Sequence, residues 1–217
     1  RRWLDCCLAF TAGLVVVLGV EALAEALEVA ERVPGAFQGL GLVLLGFVGA
    51  PLAIAALGDW RARRAGGRSP LYLAGLVAAA IGLHNLGEGL AIGAAYATGE
   101  IALGTFLVVG FLVHNSTEGL GIAAPIARER TSLVVLVLFG ALAGLPTVVG
   151  TWVGGFAYSP VWVALSFALG AGAIVQVVYE LVRMFAGRQG PVLDPLRAAG
   201  LVLGLAAMYA TGLFAAA

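Results

Sequence analysis

The sequence predicts an all-α membrane protein: a polytopic helical bundle with seven transmembrane helices in a single domain, residues 1–217. Three observations predict it. Of the 217 residues, 61% are hydrophobic and 11% charged, with a mean hydropathy of +1.03. A water-soluble domain is about 25% charged, so this chain has too little polar surface to cover a soluble globule. The apolar residues are gathered into seven runs, each as long as the roughly 20 helical residues that cross a bilayer core. No run alternates polar and apolar residues over about ten positions, as a transmembrane β-strand does, and a helix satisfies its own backbone in lipid. The same composition excludes intrinsic disorder. The 32 glycines follow no G-x-y period, which excludes collagen.

The runs lie at about 3–30, 37–59, 70–98, 101–127, 131–157, 160–187 and 193–217. The first follows Arg1-Arg2 and opens with adjacent cysteines, Cys6 and Cys7. These form neither a disulfide framework nor a spaced metal motif, and read as small apolar residues at a membrane boundary. Ala22-Leu23-Ala24 suits signal-peptide cleavage, but the amphipathic pattern continues past residue 30. The expectation is that the chain starts inside a longer protein. The second run ends at Arg61, Arg63, Arg64 and Arg68. The third and fourth carry polar residues taken up below. Pro51, Pro125 and Pro146 fall within the second, fourth and fifth runs and predict kinks, with neighbouring groups satisfying the freed carbonyls. The sixth holds Gln176 and Glu180 at i and i+4, and the seventh contains Arg197 near its start.

Charge sets the orientation. Twelve arginines supply all the side-chain positive charge, against twelve acidic residues. Seven alternating spans place eleven of them (Arg1, Arg2, Arg61, Arg63, Arg64, Arg68, Arg128, Arg130, Arg183, Arg188 and Arg197) on one side and Arg32 on the other. That side is expected to be cytoplasmic, in the plasma or inner cell membrane, with the chain beginning inside and ending outside. The opposite mouth is acidic, with Glu28, Glu31 and Glu100. Glu21, Glu25 and Glu28 form one helical stripe, which reads either as a solvated helix end or as a vestibule that concentrates cations. A balanced charge without a long basic run excludes nucleic acid as a partner. The absence of lysine excludes a P-loop.

The third and fourth runs hold what apolar spans should lack: His84-Asn85-Leu86-Gly87-Glu88-Gly89 and His114-Asn115-Ser116-Thr117-Glu118-Gly119. A charged side chain at a helix centre costs about 2.5–3.5 kcal/mol on insertion scales, and here the same pattern, H-N-x-x-E-G, occurs twice. His and Glu at i and i+4 share one helix face, so imidazole and carboxylate reach the same point. Asn at i+1 lies about 100° round and offers an amide carbonyl. The glycine permits close approach of another backbone. Consecutive spans are antiparallel, so two imidazoles, two carboxylates and two amides can face one another near the midplane. A single His–Glu pair reads equally as a structural hydrogen bond. The duplicated set is a transition-metal ligand set, with Glu88 and Glu118 placed to bridge two ions.

These paired motifs resemble those of the Zrt/Irt-like (ZIP) family of divalent metal transporters, and Leu8-Ala9-Phe10-Thr11-Ala12-Gly13 looks like the start of that family's second span. The resemblance covers almost the whole chain and implies an eight-span fold here lacking its first span. It implies a first metal site of His84, Glu88, His114 and Glu118, and a neighbour of Asn85, Asn115 and the same two glutamates. Glu180, with Gln176 beside it, is implied as a relay on the cytoplasmic route; pairing with Arg183 is the other reading. The sequence departs from the family in three places. Leu145 precedes Pro146 where many members have glutamate, Val15 lies where some have methionine, and His114 lies where others have glutamine.

The expected function is transport of Zn2+ or a similar ion (Cd2+, Fe2+, Mn2+, Co2+ or Ni2+) toward the cytoplasm, with the metal as cargo and no organic cofactor. The expected partners are that ion, the lipid bilayer and, as oligomer, a homodimer. An enzyme is not expected, and the runner-up reading is a ceramidase-like intramembrane metal hydrolase, which would need an ion with an open water position, a general base and an opening for lipid; neither H-E-x-x-H nor G-x-S-x-G occurs. A non-transporting metal sensor is the third reading.

Overall fold

The computed structural model describes residues 2–65, 69–186 and 194–216. Arg1, Arg68 and Arg188, and the side chains of Arg2, Arg61, Arg63, Arg64 and His114, lie outside the described residues. Among those described, all regular structure is helical, and seven helices are long and apolar enough to cross a membrane. They are α1 (Arg2–Ala30), α2 (Gly39–Ala65), α3 (Pro70–Ala97), α4 (Ile101–Ala123), α5 (Leu133–Ala157), α6 (Pro160–Ala186) and α7 (Pro195–Ala216), with 3-10 turns at Gly35–Phe37 and Ala124–Ile126.

Helix starts follow ordinary chemistry. Ser69 accepts from Tyr72 N at 3.2 Å ahead of Pro70, and Ser132 accepts from Val135 N at 3.4 Å. Asp194 Oδ1 accepts from the nitrogens of Leu196 and Arg197 at 2.9 and 3.0 Å. Two details differ from expectation. The helix of the second run continues through Arg61, Arg63 and Arg64 although its apolar window ends at Ala56, because arginine ends an apolar stretch without breaking a helix. Pro125 sits in the 3-10 turn that ends α4, whereas Pro51 and Pro146 lie inside helices.

The α3–α4 hairpin brings the two motifs together. Gly99 takes φ 84°, its N–H donates to Tyr96 O at 3.2 Å, and Glu100 N donates to Ala95 O at 2.9 Å. This is a Schellman ending, which a residue with a Cβ adopts only under strain. The chain reverses within three residues and α4 returns along α3, fastened by Tyr96 Oη to Thr105 Oγ1 at 3.3 Å.

α1, α3 and α6 are the inner helices. Leu14 and Leu18, Val77 and Ile81, and Ile174, Val177 and Leu181 form one buried cluster with Met208 of α7. Ala22, Val43, Leu90, Ala164 and Phe167 belong to a second. Helix pairs that do not interlock large side chains meet backbone to backbone. Gly82, Gly89 and Gly93 of α3 lie against the carbonyls of Leu142, Thr147 and Thr151 of α5, and Gly150 and Gly154 return the contact onto Leu86 and Leu90. In lipid, such contacts give van der Waals packing where no hydrophobic drive exists between helices.

At the end where α1 and α7 begin, Arg197 is buried. It donates to Asp5 Oδ2 at 3.3 Å, is ion-paired with Asp194 Oδ2 at 3.5 Å and lies 5.2 Å from the Phe185 ring centroid. An arginine counted from sequence as a loop charge is therefore an internal clamp on α1, α6 and α7.

Candidate metal centre

Midway along α3, His84 Nε2 lies 3.2 Å from Glu88 Oε1, the i, i+4 contact that helical geometry dictates. His84 is 3% exposed and Glu88 2%. Two features of the neighbouring α6 make this possible. Gly170 admits the His84 backbone, since a Cβ there would stand 2.9 Å from His84 N. Phe167 packs on the imidazole with centroids 5.5 Å apart, in space left by Gly87. Asn85 points the other way round the helix, and its Nδ2 donates to Ala143 O of α5 at 3.1 Å.

From the second motif, Glu118 is buried at 1% exposure. It accepts a hydrogen bond from the Asn85 side chain and interacts electrostatically with Glu88, His84 and Glu21. Asn115, with its amide nitrogen turned toward α4, donates to Glu118 Oε2 at 3.1 Å and Phe111 O at 3.3 Å. The structure thus brings His84, Asn85, Glu88, Asn115 and Glu118 together. The side chain of His114 lies outside the described residues. Among the described residues, no three His, Cys, Asp or Glu side chains form a group that could hold an ion. What stands there is one His–Glu pair with a second carboxylate across from it. Glu88 Oε2 and Asn85 Oδ1 are buried acceptors without a hydrogen-bond partner among the described residues.

The glycines of the two motifs behave differently. Gly89 lies against the Thr147 carbonyl, as expected of a close backbone approach, but Gly119 is exposed, and a Cβ there would meet nothing within 4 Å. The position implied by the resemblance on α5 also changes. Leu145 is 59% exposed and lines an outer groove with Leu138 and Leu142. The α5 residue facing Asn85 is Ala143, two positions earlier and roughly 200° round the helix.

The acidic stripe of α1 divides. Glu21 is half-buried, its carboxylate set over Gly212 of α7, and it interacts with His84 and Glu88. Glu25 is exposed and also senses His84 and Glu88. Glu28 pairs with Arg32 at 2.9 Å on the outer surface. On α6, Gln176 Nε2 donates to buried Glu180 Oε1 at 3.1 Å; the two lie about 9 and 15 Å along the helix from Gly170 toward the Arg183 end. These two are therefore apart from the central cluster, and Arg183 is exposed.

No sequence signal marks the Ala143 carbonyl, Phe167 against His84, or buried Thr11, which donates to Cys7 O at 3.2 Å and Gly121 O at 3.3 Å just below Glu118. Contacts between distant helices leave no local pattern.

No protein-family model matches the chain, and no curated protein and no solved structure matches it. The fold and the cluster define a helical bundle fit for a membrane with nitrogen and oxygen donors buried at mid-depth.

Proposed function

We propose that this chain is a transporter that moves Zn2+ or a similar divalent transition-metal ion toward the cytoplasm, as a member of the Zrt/Irt-like family its motifs resemble. One observation carries the reading: Glu118 of α4 meets His84, Asn85 and Glu88 of α3 in a buried cluster that leaves Glu88 Oε2 and Asn85 Oδ1 without partners among the described residues. Two buried carboxylates facing each other are costly unless paired or bound to a cation. A buried acceptor left unmade costs about 1–3 kcal/mol. A divalent ion answers both, and imidazole with carboxylate suits zinc and its neighbours.

The arginine distribution supports a cytoplasmic face at the end where α1 begins. Cations gather at Glu25 and Glu21, exchange water for the His84–Glu88 pair with Glu118 drawn in from α4 to complete the site, and leave past Gln176 and Glu180. The test is metal flux into sealed liposomes containing the purified chain, loaded with a metal-sensitive dye. Saturable Zn2+ uptake, lost in Glu88→Ala, is the expected result. Binding without flux identifies a sensor, and no binding overturns the reading.

A further inference from the structure

Five hydroxyls of this bundle share one arrangement. Thr11, Thr105, Ser116, Thr151 and Thr211 each donate to the carbonyl four residues earlier, which satisfies a hydroxyl inside a helix without water. Thr147 departs from it. The carbonyl four residues earlier is that of Ala143, and it accepts Asn85 Nδ2. Thr147 Oγ1 is buried without a hydrogen-bond partner among the described residues.

Its position gives that oxygen a use. Thr147 sits one turn along α5 from Ala143, and its own carbonyl lies against Gly89, next to Glu88. It also lines, with Asn115 and Gly144, an outward-open groove of about 630 Å³ over α3, α4 and α5. The groove opens outward and its walls are apolar, among them exposed Val108, Leu112 and Val148; Asn115, also on its wall, bonds the Glu118 carboxylate. A buried hydroxyl one turn from the carbonyl that holds Asn85 has nothing to serve in the protein alone.

We propose that Thr147 is the oxygen donor α5 contributes to the metal path: a neutral hydroxyl that takes the ion or one of its retained waters, and so sets selectivity. This rests on the transport reading above. It replaces the α5 carboxylate that the resemblance implies at Leu145, whose side chain faces outward. A neutral oxygen favours ions that prefer oxygen shells, so Thr147 serves Mn2+ more than Zn2+ or Cd2+.

The test uses purified protein in detergent, with Mn2+ and Zn2+ titrated calorimetrically and thermal midpoints measured with and without metal. Thr147→Val is expected to weaken Mn2+ binding about tenfold, the scale of an outer-ligand loss, and Zn2+ binding less. Its metal-free midpoint is expected to equal or exceed wild type, because the methyl replaces an unpartnered hydroxyl. Thr147→Ser retains binding, and Leu145→Val binds as wild type. A lower metal-free midpoint for Thr147→Val means that the hydroxyl is structural and overturns the proposal. Wild-type Mn2+ affinity in Thr147→Val, with binding lost in Glu88→Ala, overturns the Thr147 assignment and leaves transport standing. Absence of binding in the wild type removes both.

Discussion

The pattern H-N-x-x-E-G occurs twice, at 84–89 and 114–119, and the fold treats the copies differently. In α3, His84, Asn85, Gly87, Glu88 and Gly89 are all buried, with α5 on one side and α6 on the other. In α4, Thr117 and Glu118 are buried, but Ser116 and Gly119 are exposed and Asn115 is half-buried. Helical periodicity decides which residues share a face. How many helices flank that face decides which of them leave lipid. The first copy is a wall inside the bundle; the second turns Thr117 and Glu118 inward, on a helix that packs against α3, α7 and α1, and leaves Ser116 and Gly119 on an exposed face.

The strongest way to break this comparison is to remove one carboxylate from each copy. If both copies serve one ion, Glu88→Ala and Glu118→Ala each abolish Zn2+ uptake, by at least about 100-fold, since even an outer-ligand loss costs 10–100-fold. Full flux in either variant separates the copies. Protonation attacks both at once, because protons compete for imidazole and carboxylate. Metal affinity is therefore expected to fall as pH drops from 7.5 to 5.5, by up to about tenfold per unit for each displaced proton. A flat profile in a calorimetric series contradicts ligation by these groups.

The motif glycines give a smaller and sharper contrast. Alanine at Gly89 meets backbone, the Thr147 carbonyl, which cannot swing aside; overpacking of this kind costs about 1–3 kcal/mol. Alanine at Gly119 meets nothing and gains about 0.5–1 kcal/mol of helix preference. Thermal midpoints in detergent should move in opposite directions. The same sign for both would show that the α3–α5 contact does not hold the site.

Much of this was legible in the sequence, and the limits are physical. Helix positions followed from apolar runs because lipid leaves the backbone one economical solution. The His84–Glu88 contact followed from the helical repeat. The meeting of Glu118 with α3 needed only a tight antiparallel turn, which Gly99 supplies. What stayed hidden depends on rotation about a helix axis. Nothing near Leu145 says that it faces outward while Ala143 faces Asn85, because α5 is apolar nearly all round. Arg197 read as a loop charge because its partner Asp5 lies at the far end of the sequence.

The smallest expected effect tests the outer face of the second copy. Ser116 corresponds to Leu86 of the first, and its exposed hydroxyl donates to Leu112 O at 2.8 Å. Because that carbonyl also belongs to the helix ladder, losing the hydroxyl leaves no orphan. Ser116→Leu is therefore expected to change stability by no more than about 0.5 kcal/mol and to leave metal affinity unaltered. The reciprocal Leu86→Ser places a hydroxyl on a half-buried position whose carbonyl lies against Gly150, and should cost about 1–3 kcal/mol unless that hydroxyl finds a partner. Paired unfolding titrations read the difference directly. Equal costs for the two exchanges would mean that α4 is enclosed as fully as α3, and that the picture of an exposed outer face on the second copy is wrong.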